Sequence, residues 1–91
     1  MKKYVFEEYR DEVGAGSEKI SNTKENALQF AKDEWDHLFE RDKASYRKDK
    51  FSYFRVFEIE ITPEQLAAYE NGCLDIALSE LETDELYNAL N

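Results

Sequence analysis

Residues 24–39, KENALQFAKDEWDHLF, limit how this chain can fold more than any other stretch. At about 100° per residue, Ala27, Leu28, Ala31, Trp35, Leu38 and Phe39 fall within a stripe of roughly 120°, with Lys32, Asp33, Asp36 and Glu40 opposite. The pattern predicts an amphipathic helix centred on the only tryptophan, and its apolar stripe must be covered. The strand-like segments on either side, 4–9 and 52–61, are the surfaces available to cover it.

The ends of this helix are legible. Asn22 followed by Glu25 fits a capping arrangement, so the helix is expected to start there. Continued on the same wheel, Asp42 lands about 20° from the stripe centre, where an unpaired carboxylate is costly to bury. The helix should therefore stop or bend near residues 40–41, with Asp42 capping a further short turn through 43–46.

Upstream, Tyr4, Val5 and Phe6 open a strand rich in β-branched and aromatic residues. Residues 11–17, DEVGAGS, read as a turn in which Gly14 and Gly16 tolerate positive φ, and 18–20 as a short returning strand. The glycine pair lacks the further glycine and the lysine of a phosphate loop. Downstream, Phe57, Ile59 and Ile61 alternate with Glu58 and Glu60, which predicts the longest strand, apolar on one face and acidic on a solvated one.

Thr62-Pro63-Glu64-Gln65 marks a second helix start, with an N-cap threonine, proline at the first helical position and glutamine closing a capping box. Asn71-Gly72 ends that helix. Residues 73–79 fit a short strand or a helix, because Leu74, Ile76 and Leu78 alternate with Asp75 and Ala77. Residues 83–90, TDELYNAL, read as a last helix with acids in its first turn. The expectation is one α+β domain over 1–91. It consists of an antiparallel sheet of two or three strands, the Trp35 helix packed on it, and one or two C-terminal helices.

Charge is distributed unevenly. Residues 1–55 hold all 12 Lys and Arg and 12 of the 21 Asp and Glu, so the whole net charge of −9 lies in residues 56–91, which contain no base. Such asymmetry suggests an interaction surface for a basic partner. Its candidate residues are Glu58, Glu60, Glu64, Glu70, Asp75, Glu80, Glu82, Asp84 and Glu85. No apolar run approaches the roughly 18–20 residues of a membrane span. MKKYVFEEYR lacks the apolar core of a signal peptide, and Cys73 alone forms neither an internal disulfide nor a multi-cysteine zinc site. A cytoplasmic protein without membrane contact is expected.

Catalytic constellations are scarce. His37, four residues after Asp33, gives two groups of a metal site that needs three or four, and a solvated or partly packed histidine is the simpler reading. Cys73 follows a helix C-terminus, where the dipole disfavours a thiolate, so a buried, inert cysteine is expected. Carboxylate pairs (Glu7/Glu8, Asp33/Asp36, Glu58/Glu60) are too many for any one to stand out. No nucleophile elbow, phosphate loop or zinc-protease motif is present. Neither an enzyme nor a cofactor or metal is expected. Residues 41–55 carry Arg41, Lys43, Arg47, Lys48 and Lys50 interleaved with Tyr46, Phe51, Tyr53 and Phe54. They suit either a phosphate contact or aromatics packed inward with cations in water; the second is preferred, because the acidic half repels nucleic acid.

The segment KENALQFAKDEWDHL followed by RDK resembles small acidic proteins carried by phages, plasmids and integrative elements of Gram-positive bacteria. In these a strand or hairpin leads into a helix of the form K-x-x-A-L-x-x-A-x-x-x-W-x-x-L. The resemblance spans about residues 1–61 and rests on Ala27, Leu28, Ala31, Trp35 and Leu38, all core positions, so it carries no functional residue across. It implies an anti-defence role, as in anti-CRISPR and anti-restriction proteins, some of which present carboxylates where a nuclease or CRISPR effector expects phosphates. The alternative is a small regulatory or structural interaction module. That module could be a homodimer whose basic 41–55 segment meets the acidic half of its mate.

Overall fold

The computed structural model describes all 91 residues. Four strands, β1 (Lys2–Arg10), β2 (Ala15–Ser21), β3 (Tyr53–Glu60) and β4 (Glu82–Asn88), form one antiparallel sheet in the order β2-β1-β3-β4. Three helices accompany it: α1 (Lys24–Asp36), α2 (Glu40–Lys48) and α3 (Pro63–Glu70). A 3-10 turn at Leu78–Leu81 leads into β4. The fold is α+β, with one strand more than the sequence predicts.

Connectivity decides the layering. β2 and β3 both pair antiparallel with β1, so they run in the same direction on either side of it. A chain joining like-directed strands has to cross the sheet, and α1 with α2 makes that crossing over one face. On this face Ala27, Ala31 and Trp35 of α1 and Tyr46 of α2 pack with Phe6, Phe54 and Val56. Phe54 is the hub, with edge-on partners Phe6 and Trp35 at 5.0 Å and Tyr46 at 5.4 Å. The β3–β4 connection lies on the other face, where Leu66, Tyr69, Leu74 and Leu78 cover Val5, Phe57, Ile59 and Ile61.

β3 is thus buried on both sides, which overturns the expectation of one apolar and one solvated face. Phe54 and Val56 face the α1–α2 layer, Phe57 and Ile59 the α3 layer. Glu58 and Glu60 continue the Phe54–Val56 row towards the strand end, where Lys2 and the Met1 amino group meet them.

Several boundaries shift for identifiable reasons. Thr23, not Asn22, caps α1 by accepting a bond from the Asn26 amide at 3.2 Å, while Asn22 takes the Lys3 ammonium at 2.6 Å. α1 stops at Asp36, before the expected bend, and Phe39 leaves the stripe to lie 67% exposed. The break lets α2 turn Tyr46 against Trp35 and brings Asp42 to Arg10 at 2.8 Å, so the carboxylate meets a cation instead of the core. The capping box of α3 forms as expected, with reciprocal bonds of 3.1 and 3.0 Å between Thr62 and Gln65, and Gly72 at φ 72° ends the helix.

Residues 73–77 are irregular, neither strand nor helix, before the 3-10 turn. The predicted helix at 83–90 is instead β4. The free edge of β3 presents amide and carbonyl groups that need partners, and this outweighs the local helix preference of TDELYNAL. Of the two turn glycines, only Gly14 has positive φ, at 65°. Gly16 lies within β2, where a Cβ would sit 2.3 Å from the Glu8 carbonyl oxygen.

Candidate functional site

The sheet separates charge by layer. The α1–α2 crossing, residues 24–50, balances Lys24, Lys32, Arg41, Lys43, Arg47, Lys48 and Lys50 against an equal number of acids. The opposite layer, residues 63–81, carries Glu64, Glu70, Asp75 and Glu80 and no base at all. The asymmetry is thus one between the two layers that flank the sheet; the sheet itself turns Lys3 and Arg55 to the α3 side and Glu58 and Glu60 to the other.

The nine candidate acids do not form one surface. Glu58 is held by Lys2 at 3.8 Å and by the Thr83 hydroxyl at 2.7 Å, and Glu60 by the Met1 amino group at 3.0 Å. Asp84 lies across the strand pair from Glu58 and is exposed. Glu82 and Glu85 turn to Arg55, at 2.8 and 3.7 Å. Glu64 and Glu70 are exposed on α3, Asp75 is exposed on the following connection, and Glu80 spends one carboxylate oxygen on the Ala77 amide at 2.9 Å. None of these last four makes an ion pair, nor does Asp84, whereas Glu58, Glu60, Glu82 and Glu85 all do. The carboxylates free to meet a partner on the α3 side are Glu64, Glu70, Asp75 and Glu80.

A second concentration, invisible in the 56–91 count, forms around Arg55. Its guanidinium lies 4.2 Å over the Phe57 ring, reaches Glu7 at 3.1 Å as well as Glu82 and Glu85, and is only 16% exposed. Burial alone would lower the Arg55 pKa, but hydrogen bonds to Glu82 and Glu7 hold it above its ordinary value. Glu7 shows the opposite balance. Burial pushes its carboxyl above the ordinary range even with Arg55 beside it, and the nearby Glu18 and Glu82 charges push the same way. One cation is shared among three carboxylates, so Arg55 is over-supplied with partners and Glu7 under-supplied.

Next to this cluster the sheet surface is open. Glu7, Glu18, Tyr9, Tyr53, Gly16 and Ser17 line a shallow concavity of about 260 Å³. Tyr9 and Tyr53 stack at 5.5 Å with 29° between their planes, and Tyr53 is 37% exposed. Burial raises the Tyr53 hydroxyl pKa, reinforced by Glu7. Sequence reasoning missed this surface because it is assembled across three strands. The alternation of Glu7 and Tyr9 with buried Phe6 was its one local trace.

Elsewhere, Cys73 is exposed, which corrects the expectation of a buried thiol; its Sγ lies 3.5 Å from the Asn71 carbonyl. His37 is exposed, with Nδ1 2.6 Å from the Asp33 carbonyl oxygen one turn back. In the basic segment Tyr46 and Phe54 enter the core, but Phe51 and Tyr53 stay exposed. Arg41, Arg47, Lys48 and Lys50 make no ion pair, while Lys43 pairs with Glu40 at 3.5 Å. No helix is long and apolar enough to cross a membrane. No family model, curated protein or solved structure matches this chain.

Proposed function

We propose that this chain is a non-enzymatic, cytoplasmic binding protein whose acidic α3 layer docks on the basic surface of a nucleic-acid-handling protein. In this reading it acts as an anti-defence inhibitor of the kind small acidic proteins of phages and mobile elements supply, against a nuclease or CRISPR effector. The observation that carries it is the segregation of charge by layer: Glu64, Glu70, Asp75 and Glu80 belong to a layer, residues 63–81, that has no Lys or Arg of its own, and none of them makes an ion pair, although the sheet turns Lys3 and Arg55 to this side. A basic groove built for phosphates attracts such a fixed set of carboxylates, and the complementary fields steer the encounter and fix its orientation. Glu82 and Glu85 contribute field but are already engaged by Arg55.

The test is capture from a Gram-positive bacterial lysate with tagged protein, washed at low and then high salt. A nuclease or other nucleic-acid-handling protein released by salt, inhibited by the purified chain and not retained by a Glu64→Gln, Glu70→Gln, Asp75→Asn, Glu80→Gln variant is the expected result. Equal retention by that variant, or retention indifferent to salt, would refute the proposal.

One observation favours a second reading. Arg41, Arg47, Lys48 and Lys50 are unpaired on the layer opposite the unpaired acids, so a second copy could dock head to tail, α2 on α3. Such a heterologous contact propagates instead of closing as a two-fold dimer. Sedimentation at low and high salt separates the two readings, because a monomer at both salts removes self-assembly.

A further inference from the structure

The α3 layer covers only part of its sheet face, and the cross-strand register shows what is left open. The row Ile20–Val5–Phe57 lies under Leu66 and Tyr69. The next row on the same face is Glu18–Glu7–Arg55, and the one after it is Gly16–Tyr9–Tyr53. Of α3 only Tyr69 reaches these rows, at Glu18; the Gly16–Tyr9–Tyr53 row is left uncovered, and the concavity beside Tyr53 opens from it.

The first of these rows already contains one complete cation seat. Arg55 Cζ lies 4.2 Å from the Phe57 ring centroid while Nε and Nη1 meet Glu7 and Glu82, so ring and carboxylates hold one guanidinium together. The second row supplies the same ingredients again without a cation. The Tyr9–Tyr53 step offers a flat aromatic surface, and Glu7 and Glu18 lie one row away, about 7 Å along the strands. Glu18 makes no ion pair within the fold; its one polar neighbour from α3 is the Tyr69 hydroxyl, which leaves acceptor capacity on the carboxylate. Gly16 puts no side chain beside Tyr9. Three carboxylates share Arg55, and Glu18 adds a fourth, so this half-face keeps an excess of negative charge.

We propose that this half-face seats an arginine side chain from a basic protein partner, its guanidinium stacked on the Tyr9–Tyr53 step and its N–H edge turned to Glu18 and Glu7. Arginine fits better than lysine because a planar guanidinium can stack and bond two oxygens at once, whereas an ammonium is a compact, strongly hydrated point charge. Nucleic acid is excluded from the same surface by the carboxylates. The inference rests on the proposal above that the partner is a basic protein, and it adds where on the chain, and with which side chain, that partner makes its most directional contact.

The experiment uses the full chain at low ionic strength, with a short peptide of alternating arginine and glycine and its lysine counterpart as probes. Tyrosine-ring and amide resonances are followed by NMR, and affinities are measured by anisotropy. The arginine peptide is expected to shift the Tyr9 and Tyr53 rings and to bind more tightly than the lysine peptide. Tyr53→Leu should weaken the arginine peptide by roughly five-fold and abolish that preference, while Glu18→Gln should weaken both peptides by about three-fold. Both positions are exposed, and near-ultraviolet circular dichroism verifies that each variant is folded. Glu64→Gln with Glu70→Gln should change arginine-peptide affinity less than two-fold. Shifts confined to α3, no preference for arginine, or no binding at all would each overturn the inference. If the peptide misses this half-face while the α3 acids still govern salt-dependent capture, only the arginine seat falls; if both fail, the acidic-surface function falls with it.

Discussion

Arg55 is the residue on which the polar half of the molecule turns. Replacing it with methionine removes the only cation near Glu7, Glu82 and Glu85, and breaking a largely buried pair from one side leaves the other charge uncompensated. A loss of about 2–3 kcal/mol is expected from urea midpoints. Glu7 behaves differently, because burial raises its folded-state pKa above the ordinary carboxyl value. As pH falls from neutral through the folded pKa, the folded state takes up the proton first, so the Glu7 contribution to stability grows until the ordinary range is reached and then levels off. Urea midpoints across that window should show wild type gaining on Glu7→Gln as pH drops; a constant difference would show that Glu7 titrates normally. On the other face, the Tyr46 hydroxyl donates to Glu8 at 2.5 Å, and burial, then Glu8, raises its pKa. Tyr46→Phe leaves Glu8 with Ser17 at 3.0 Å and should lower stability by about 1–2 kcal/mol.

Among the elements, α3 has the least holding it. It contains no fully buried residue and relies on Leu66 and Tyr69 for packing and on the Thr62–Gln65 box for its first turn. Thr62→Ala should therefore cost about 1 kcal/mol locally. The expected readout is faster hydrogen exchange at Gln65 and Leu66 while β1 and β3 amides stay protected; uniform acceleration would mean that α3 opens only with the whole fold. The capping box that stabilises α3 was legible in the sequence because it is a local device, complete within four residues. So was α1, whose stripe spans one helix. β4 was not legible, since its conformation is set by the vacant edge of β3, and nothing in TDELYNAL records that edge. The same holds for β3, whose second apolar face became evident only once α1 and α3 were on opposite sides. The acidic residues 56–91 were legible as a list, but the pairing that removes Glu58, Glu60, Glu82 and Glu85 from the free set uses cations brought from residues 1–55. The Tyr9–Tyr53 half-face draws on three strands and left almost no trace in linear order.

At the scale of the whole molecule, 40 × 26 × 19 Å, a net −9 with four unpaired acids in the α3 layer makes folding and binding respond oppositely to salt. Within the chain, Glu64, Glu70, Asp75 and Glu80 repel one another, and Glu58 faces Asp84 directly across a strand pair. These charges lie at the surface, where about 0.1 M salt already screens beyond roughly 10 Å. The attractive Arg55 pairs are more buried and less screened, so added salt should relieve repulsion faster than it weakens attraction. Raising sodium chloride from about 0.02 to 0.5 M is expected to increase Tm by a few degrees, a gain of under about 1 kcal/mol for a domain of this size. The same change should weaken capture of a basic partner by more than about ten-fold, because that contact depends on the charges salt screens most. Calorimetry and binding measured side by side make the comparison direct. A Tm that falls with salt would mean that ion pairs across the sheet outweigh the crowding of acids, and the α3 layer would then be less free to engage a partner than its unpaired carboxylates imply.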